Sequence, residues 1–242
     1  MTLSLLLTAT IRPGNTPFLK RKDPKVREAD YLIALEKWLK NFNLPIVFCE
    51  NSYYDISNIR NILQRNSRSE FEILQFDGRS FSEDHGKGYG EFLIMKYALE
   101  NSEIVNNSQY LLKVTGRYFI KNASKIMKPL LKDNDIYVMA DLKRSLTWAD
   151  SRVFAFKPSF ISNYLSEYQD VINDSKGFYL EHALARAVLR AISDGYRWIP
   201  LPHKPIIIGY SGTSDTPYRT SNIRWLAGEI IHYLKNYLNK KY

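Results

Sequence analysis

Cysteine is almost missing from this 242-residue chain: Cys49 stands alone, so no internal disulfide can form. No Cys/His cluster has the spacing of a structural zinc site either. A reducing compartment, the cytoplasm, is the expectation. No apolar run approaches the roughly 20 residues that a membrane-spanning helix needs. The opening Met1-Thr2-Leu3-Ser4-Leu5-Leu6-Leu7 is apolar but lacks the basic n-region of a signal peptide. It reads as a buried first strand, with a signal peptide as the alternative. Repeats, low-complexity tracts and linkers are missing too, so one domain over residues 1–242 is expected. The phosphate-binding Gly-Lys-Ser/Thr of a Walker A loop and the Rossmann glycine fingerprint do not occur. Gly209-Tyr210-Ser211-Gly212-Thr213 misses the spacing of a nucleophile elbow. There is no RNP-like strand, helix-turn-helix or zinc-finger pattern.

What the chain does have is positive charge. Lys and Arg number 34 against 25 Asp and Glu, a formal net charge of +9. Such a balance suits polyanions: nucleic acid, an anionic membrane face or phosphorylated substrates. The 17 tyrosines would supply stacking faces to a nucleic-acid-binding module, the rival reading. Against it, the notable cations fall singly after short apolar runs, as a small phosphorylated ligand would need, so no nucleic-acid partner is expected.

Leu3 to Ala9 and Pro45 to Cys49 read as strands with a helix, Val26 to Leu39, between them. That is a βαβ unit, and strands alternating with helices favour a mostly parallel sheet flanked by helices. A helix around Ile56 to Gln64, a strand Phe71 to Phe76, a loop Asp77-Gly78-Arg79-Ser80 and a helix from Gly86 to about Leu99 follow. Tyr110 to Val114 has the composition of a central strand. Ile136 to Ala140 and Val153 to Phe156 are two more, with pairing as a hairpin an option. Ser159 to Tyr168 and Phe178 to Ile192 read as helices, Arg197 to Pro202 and Pro205 to Ile208 as extended segments, and Asn222 to Asn239 as a terminal helix. Ligands of parallel sheets gather at the carboxyl ends of strands, so the polar residues after each strand matter most.

Two motifs carry most of the chemistry. In Gly86-Lys87-Gly88-Tyr89-Gly90-Glu91, alternating glycines let backbone approach a ligand, the following helix offers its N-terminal amides, and Lys87 adds a charge. Lys87 and Gly88 are therefore candidate phosphate contacts. The alternative is a flexible turn, with Glu91 serving the helix dipole. In Leu111-Leu112-Lys113-Val114-Thr115-Gly116-Arg117-Tyr118, two cations and Gly116 stand where an apolar strand ends. Arg117 can grip phosphate oxygens with a bidentate fork, and Lys113 is costly to bury unless it meets an anion. Otherwise Lys113 faces solvent and Arg117 meets a structural carboxylate.

Gly-Lys-Gly-x-Gly-Glu followed by Lys-x-Thr-Gly-Arg-Tyr resembles a group of bacterial glycosyltransferases of the GT-A fold, associated with lipopolysaccharide, O-antigen and capsule assembly. The similarity of motif and element order runs over nearly the whole chain. It implies a single GT-A-like α/β domain that binds a nucleotide-sugar donor and passes the sugar to a glycan or lipid-linked acceptor. By that resemblance Thr8, Thr10 and Arg12, with Glu50, Asn51 and Ser52, would hold the donor's base and ribose. Glu181, near the start of a late helix, would be the general base of an inverting transfer, with His182 beside it as the second possibility. A late loop closing over the diphosphate would use Ser211, Gly212 and Thr213, with His203 as a further donor.

Most GT-A enzymes bind a divalent metal through an Asp-x-Asp pair, yet the corresponding strand end here is Lys113-Val114-Thr115-Gly116-Arg117. The expectation is that these cations replace the metal and no cofactor is required. Mg²⁺ or Mn²⁺ held through Asp141 is the alternative. The terminal helix, with its apolar stripe, lysines and tyrosines, suits either core packing or an anionic membrane surface. The latter would place the protein peripherally at the inner face of the membrane.

Overall fold

The computed structural model describes residues 2–66, 69–78, 85–218 and 228–230. Arg79 and Ser80 lie outside these residues, as does the expected helix Asn222–Asn239 apart from 228–230, which are helical. In chain order the elements are β1 (Leu3–Ala9), α1 (Pro24–Asn41), β2 (Ile46–Glu50), α2 (Ser57–Arg65), β3 (Phe71–Gln75), α3 (Gly86–Asn101), α4 (Glu103–Asn106) and β4 (Tyr110–Thr115). After them come β5 (Phe119–Ile120), α5 (Ala123–Met127), β6 (Ile136–Met139), β7 (Leu142–Lys143), β8 (Trp148–Ala149) and β9 (Val153–Phe156). The chain continues through α6 (Ser159–Asn163), α7 (Leu180–Ser193), β10 (Arg197–Ile199) and β11 (Ile207–Ile208).

Seven strands form one sheet in the order β10-β6-β9-β4-β1-β2-β3. β1 pairs in parallel with β2 and β4, β2 with β3, and β6 with β10. β9 is antiparallel to both of its neighbours, β4 and β6. β1 explains the layering. All seven of its residues are buried, as a central parallel strand requires. Leu5 and Leu7 point into a core with Tyr31, Leu35 and Trp38 of α1. Leu6 points into a second core with Phe92 and Met95 of α3 and Leu184 of α7. The period-2 alternation thus feeds two apolar cores, one on each face.

α1 begins where Asp23 accepts a hydrogen bond from Val26 N at 3.0 Å and Pro24 presets the first turn. The expected helix Ser159–Tyr168 is shorter: the Tyr164 backbone leaves helical values (φ −131°, ψ −50°). Its ring packs on Tyr137 and Tyr196, and a 3₁₀ segment, Leu165–Val171, follows. Among the described residues, no helix is long and apolar enough to cross a membrane.

The reversal of β9 matters most for the site. The β7–β8 hairpin turns the chain back after β6, so the amino end of β9 lies beside the carboxyl end of β4: Val153 pairs with Val114, and Thr115 N donates to Arg152 O at 3.0 Å. Ser151 and Arg152 thereby reach the same edge as the residues following β1, β2 and β4.

Candidate active site

At that edge lies a cavity of about 320 Å³. Thr8, Thr10 and Arg12 line it from the end of β1, and Asn51 and Ser52 from the end of β2. These residues are cross-linked: Thr10 Oγ1 donates to Asn51 Oδ1 at 2.6 Å and Arg12 N to Ser52 Oγ at 2.8 Å. Glu50, expected beside them, does not line the cavity. Its buried carboxylate accepts from Ile11 N at 3.1 Å, Ser52 N at 2.9 Å, Tyr54 N at 3.3 Å and Gln75 Nε2 at 3.1 Å, and from the Ser52 hydroxyl. It shapes the two loops instead.

Arg117 lines the cavity from the turn after β4. Its Nη1 donates to Tyr210 O at 2.9 Å, while its buried Nε has no partner. Gly116 does not line the cavity. It is a glycine because a Cβ there would stand 2.9 Å from Thr8 O and 3.1 Å from the Tyr31 ring. Lys113 is the clearest correction. It neither faces solvent nor reaches the cavity: with its side chain fully buried, it pairs with Glu91 at 2.5 Å and donates to Ser151 O at 2.5 Å. The Glu91 carboxylate also accepts from Thr8 Oγ1 at 3.0 Å and Thr115 Oγ1 at 2.9 Å. Burial pushes its acid up, but the Lys113 charge and these bonds outweigh that and hold it below the usual carboxylate range.

The glycine motif also differs from its expected use. Gly86, Gly88 and Gly90 lie inside the first turns of α3, and the amides of Lys87 and Gly88 donate to Asp174 Oδ2 at 3.0 and 3.5 Å. A Cβ at Gly86 would fall 2.4 Å from that oxygen, in a backbone with φ +78°. The glycines admit a carboxylate of the protein itself to the helix N-terminus. Lys87 still lines the cavity, and its ammonium donates to Thr213 Oγ1 at 2.7 Å. Ser211, Gly212 and Thr213 line it as expected. Their loop is tied to the chain after β1, since Lys20 N and Arg21 N donate to Gly212 O at 3.0 and 3.1 Å.

Glu181 lines the cavity from the first turn of α7 and accepts from Ser151 Oγ at 2.9 Å. Burial pushes its acid up. Its own backbone amide and Ser151 oppose that, the Glu91 charge reinforces it, and Lys87 opposes it weakly. His182 turns elsewhere, because neighbours on a helix point about 100° apart: its Nδ1 accepts from Tyr179 N at 3.1 Å and its ring packs on Trp148. Burial and the charges of Arg144 and Arg186 push its pKa down. His203 is also away from the cavity, with Nδ1 2.5 Å from Glu229 Oε1. Asp141 accepts from Leu201 N at 3.1 Å and does not line the cavity.

Asp174 was not foreseen. It is 2 % exposed, lines the cavity, and its Oδ1 has no hydrogen-bond partner. Burial pushes its acid up, against the amides of Gly88 and Lys87 and the Lys87 charge. Its segment, Asn173-Asp174-Ser175-Lys176, looks like any polar turn, and only the crowding around Gly86 reveals it. Ser151 and Arg152 were legible only once β9 was known to run antiparallel. Arg27 and Tyr31, which line the cavity from α1, lie within an ordinary amphipathic stretch.

A resident divalent metal would find few carboxylate oxygens left to it at this cavity, Asp174 Oδ1 and Glu181 among them. Among the described residues no group of three His, Cys, Asp or Glu side chains is arranged to hold one. An Asp-x-Asp spacing occurs at Asp133-Asn134-Asp135, but before β6, at the amino end of the sheet, where Asp133 pairs with Arg197 at 2.6 Å. Of the cavity carboxylates, Glu91 is bound to Lys113 and Asp174 gives one oxygen to backbone amides.

No protein-family model matches the chain, and no curated protein matches it. Solved structures do. A mannosyltransferase from Pyrobaculum calidifontis, solved with GDP-mannose and Mn²⁺, aligns at TM-score 0.51 and 11% identity over 98% of this chain. The chain spans 64% of that enzyme's length. The glycosyltransferase GlyE of Streptococcus pneumoniae aligns at TM-score 0.49 and 10% identity, over 83% of this chain and 45% of its own. Mouse xyloside xylosyltransferase 1 aligns at TM-score 0.47 and 11% identity, over 83% and 85%. At such identities the mannosyltransferase likeness speaks for fold alone, and the fold is GT-A-like: a mostly parallel seven-stranded sheet between two helical layers.

Proposed function

We propose that the chain is a glycosyltransferase that moves a sugar from a nucleotide-sugar donor to a hydroxyl of a glycan or lipid-linked acceptor. The observation that carries this reading is the meeting, in one cavity, of Arg117 with an unpartnered buried Nε and Glu181 with an acid raised by burial. Thr10, Arg12, Asn51 and Ser52 bind the nucleoside, and Arg117, Lys87 and the 211–213 loop bind the phosphates. Asp174 Oδ1 accepts a hydroxyl of the donor sugar. In the transfer, the acceptor oxygen attacks the anomeric carbon and gives its proton to Glu181. The bond from that carbon to phosphate oxygen breaks, and the nucleotide leaves with the electron pair, its growing charge met by Arg117 and Lys87. Attack opposite the leaving group inverts the anomeric centre. A role in surface polysaccharide synthesis, and a place at the membrane's inner face, rest on the motif resemblance and the basic, tyrosine-rich C-terminal segment.

Calorimetric titration with UDP, GDP and CMP tests the reading: micromolar binding of one nucleotide is expected. Salt-sensitive binding of long polyanions alone would replace it with the nucleic-acid reading. Turnover is then followed as nucleotide released from the matching nucleotide sugar. It is expected to persist in excess EDTA. Activity lost in EDTA and restored by Mn²⁺ or Mg²⁺ overturns metal independence and makes Asp174, rather than Asp141, the first ligand to test.

A further inference from the structure

Lys113 is a fully buried lysine at the heart of the sheet that the transfer itself does not use. Burying an ion pair is rarely the most stable solution, since apolar residues of the same volume often do as well or better. The partners of Lys113 suggest what the pair does. One N–H meets Glu91 Oε1 on α3 at 2.5 Å, and another meets Ser151 O, in the turn before β9, at 2.5 Å. The hydroxyl of that same Ser151 donates to Glu181 Oε1 at 2.9 Å. Glu91 is anchored in turn by Thr8 of β1 and Thr115 of β4. A continuous polar chain therefore runs from the sheet, through one serine, to the carboxylate at the start of α7.

We propose that Lys113 and Ser151 are positioning residues: the Glu91–Lys113 pair fixes the Ser151 backbone so that its hydroxyl holds Glu181 in the orientation that receives the acceptor proton. The proposal rests on the reading of Glu181 as the base. The groups facing Glu181 are Glu91 and Lys87 from α3, Ser151 from the turn before β9, and the α7 backbone amide. Any residue at 151 would offer its backbone carbonyl to Lys113, and serine adds the hydroxyl that donates to Glu181.

Lys113→Met alone would strand a buried carboxylate, so the test uses Lys113→Met/Glu91→Gln, which keeps volume and removes both charges, beside Ser151→Ala. Both proteins are expected to bind the nucleotide selected by titration within about threefold of the parent. Both are expected to release it from its nucleotide sugar up to ~10²-fold more slowly, the scale of a misplaced catalytic group, with KM little changed. In Ser151→Ala the acid limb of the kcat profile moves to higher pH, because a bond that favours ionised Glu181 is gone. Parent kcat and an unmoved acid limb in folded Ser151→Ala overturn the proposal. So does parent kcat in the folded double variant, and should that variant not fold, Ser151→Ala decides alone. A Glu181→Gln protein that turns over at the parent rate fails the underlying reading instead, so the two failures are told apart.

Discussion

The two walls of the cavity are built on different terms. The wall formed by the ends of β1 and β2 is closed upon itself: Thr10 bonds Asn51, Arg12 N bonds Ser52, and Glu50 gathers the amides beneath them. The opposite wall, from Arg117 to the starts of α3 and α7, holds buried atoms without partners, Arg117 Nε and Asp174 Oδ1, and two carboxyls that burial pushes up. The first wall is shaped by its own internal bonds before any nucleoside meets it, whereas the second holds polar atoms that nothing in the protein completes. Buried polar groups are nearly always satisfied in folded proteins, so orphans gathered at one cavity point to a ligand that completes them.

If the division holds, substitutions on the second wall change chemistry, and substitution of Glu50, buried behind the first, changes stability. Glu181→Gln should show the largest effect, a fall in turnover of roughly 10²- to 10⁴-fold with nucleotide binding kept. An unchanged rate would move the base to Asp174. Glu50→Gln should do the reverse. Weakening the charged acceptor under two loops is expected to cost about 2–3 kcal/mol, about 5–10 °C in Tm for a chain of this length. Nucleotide affinity of the folded protein should stay within about threefold. A loss of affinity without loss of stability would break the comparison.

Arg117→Ala is expected to weaken nucleotide binding at least about tenfold, the scale of a lost charge-assisted bond. Parent affinity in the folded variant would return Arg117 to a structural role with Tyr210. The smallest effect sharpens the contrast through pH. Because burial raises the Glu181 acid in the folded state, its contribution to stability is present below the unfolded value of about 4.3. It is lost as pH rises through the folded value. Glu181→Gln should therefore melt slightly higher than the parent at pH 7, by about 2–4 °C on the scale of ~1 kcal/mol. The gap should close as pH falls through the raised value. A gap independent of pH, followed by calorimetry, would show that Glu181 is not strained by burial.

Much of this layout was legible in the order of residues. Apolar runs at Leu3–Ala9 and Tyr110–Val114, with helical patterns between, state a parallel sheet, and the ends of such strands state where ligands gather. The strand end pointed to Arg117, and the motif resemblance pointed to Thr8, Thr10, Arg12, Asn51, Ser52 and Glu181; all of these line the cavity. Local sequence could not decide what each charge meets. Lys113 and Glu91 are 22 positions apart and become a pair only when α3 packs on the sheet against β1 and β2. Asp174 reaches the start of α3 from 87 positions away. Ser151 joins the site because β9 runs against its neighbours. Periodicity and the succession of strands and helices follow from the local chain, and those the sequence determined. The partner of a buried charge is set by long-range contacts competing to satisfy it, and only the tertiary structure decided that.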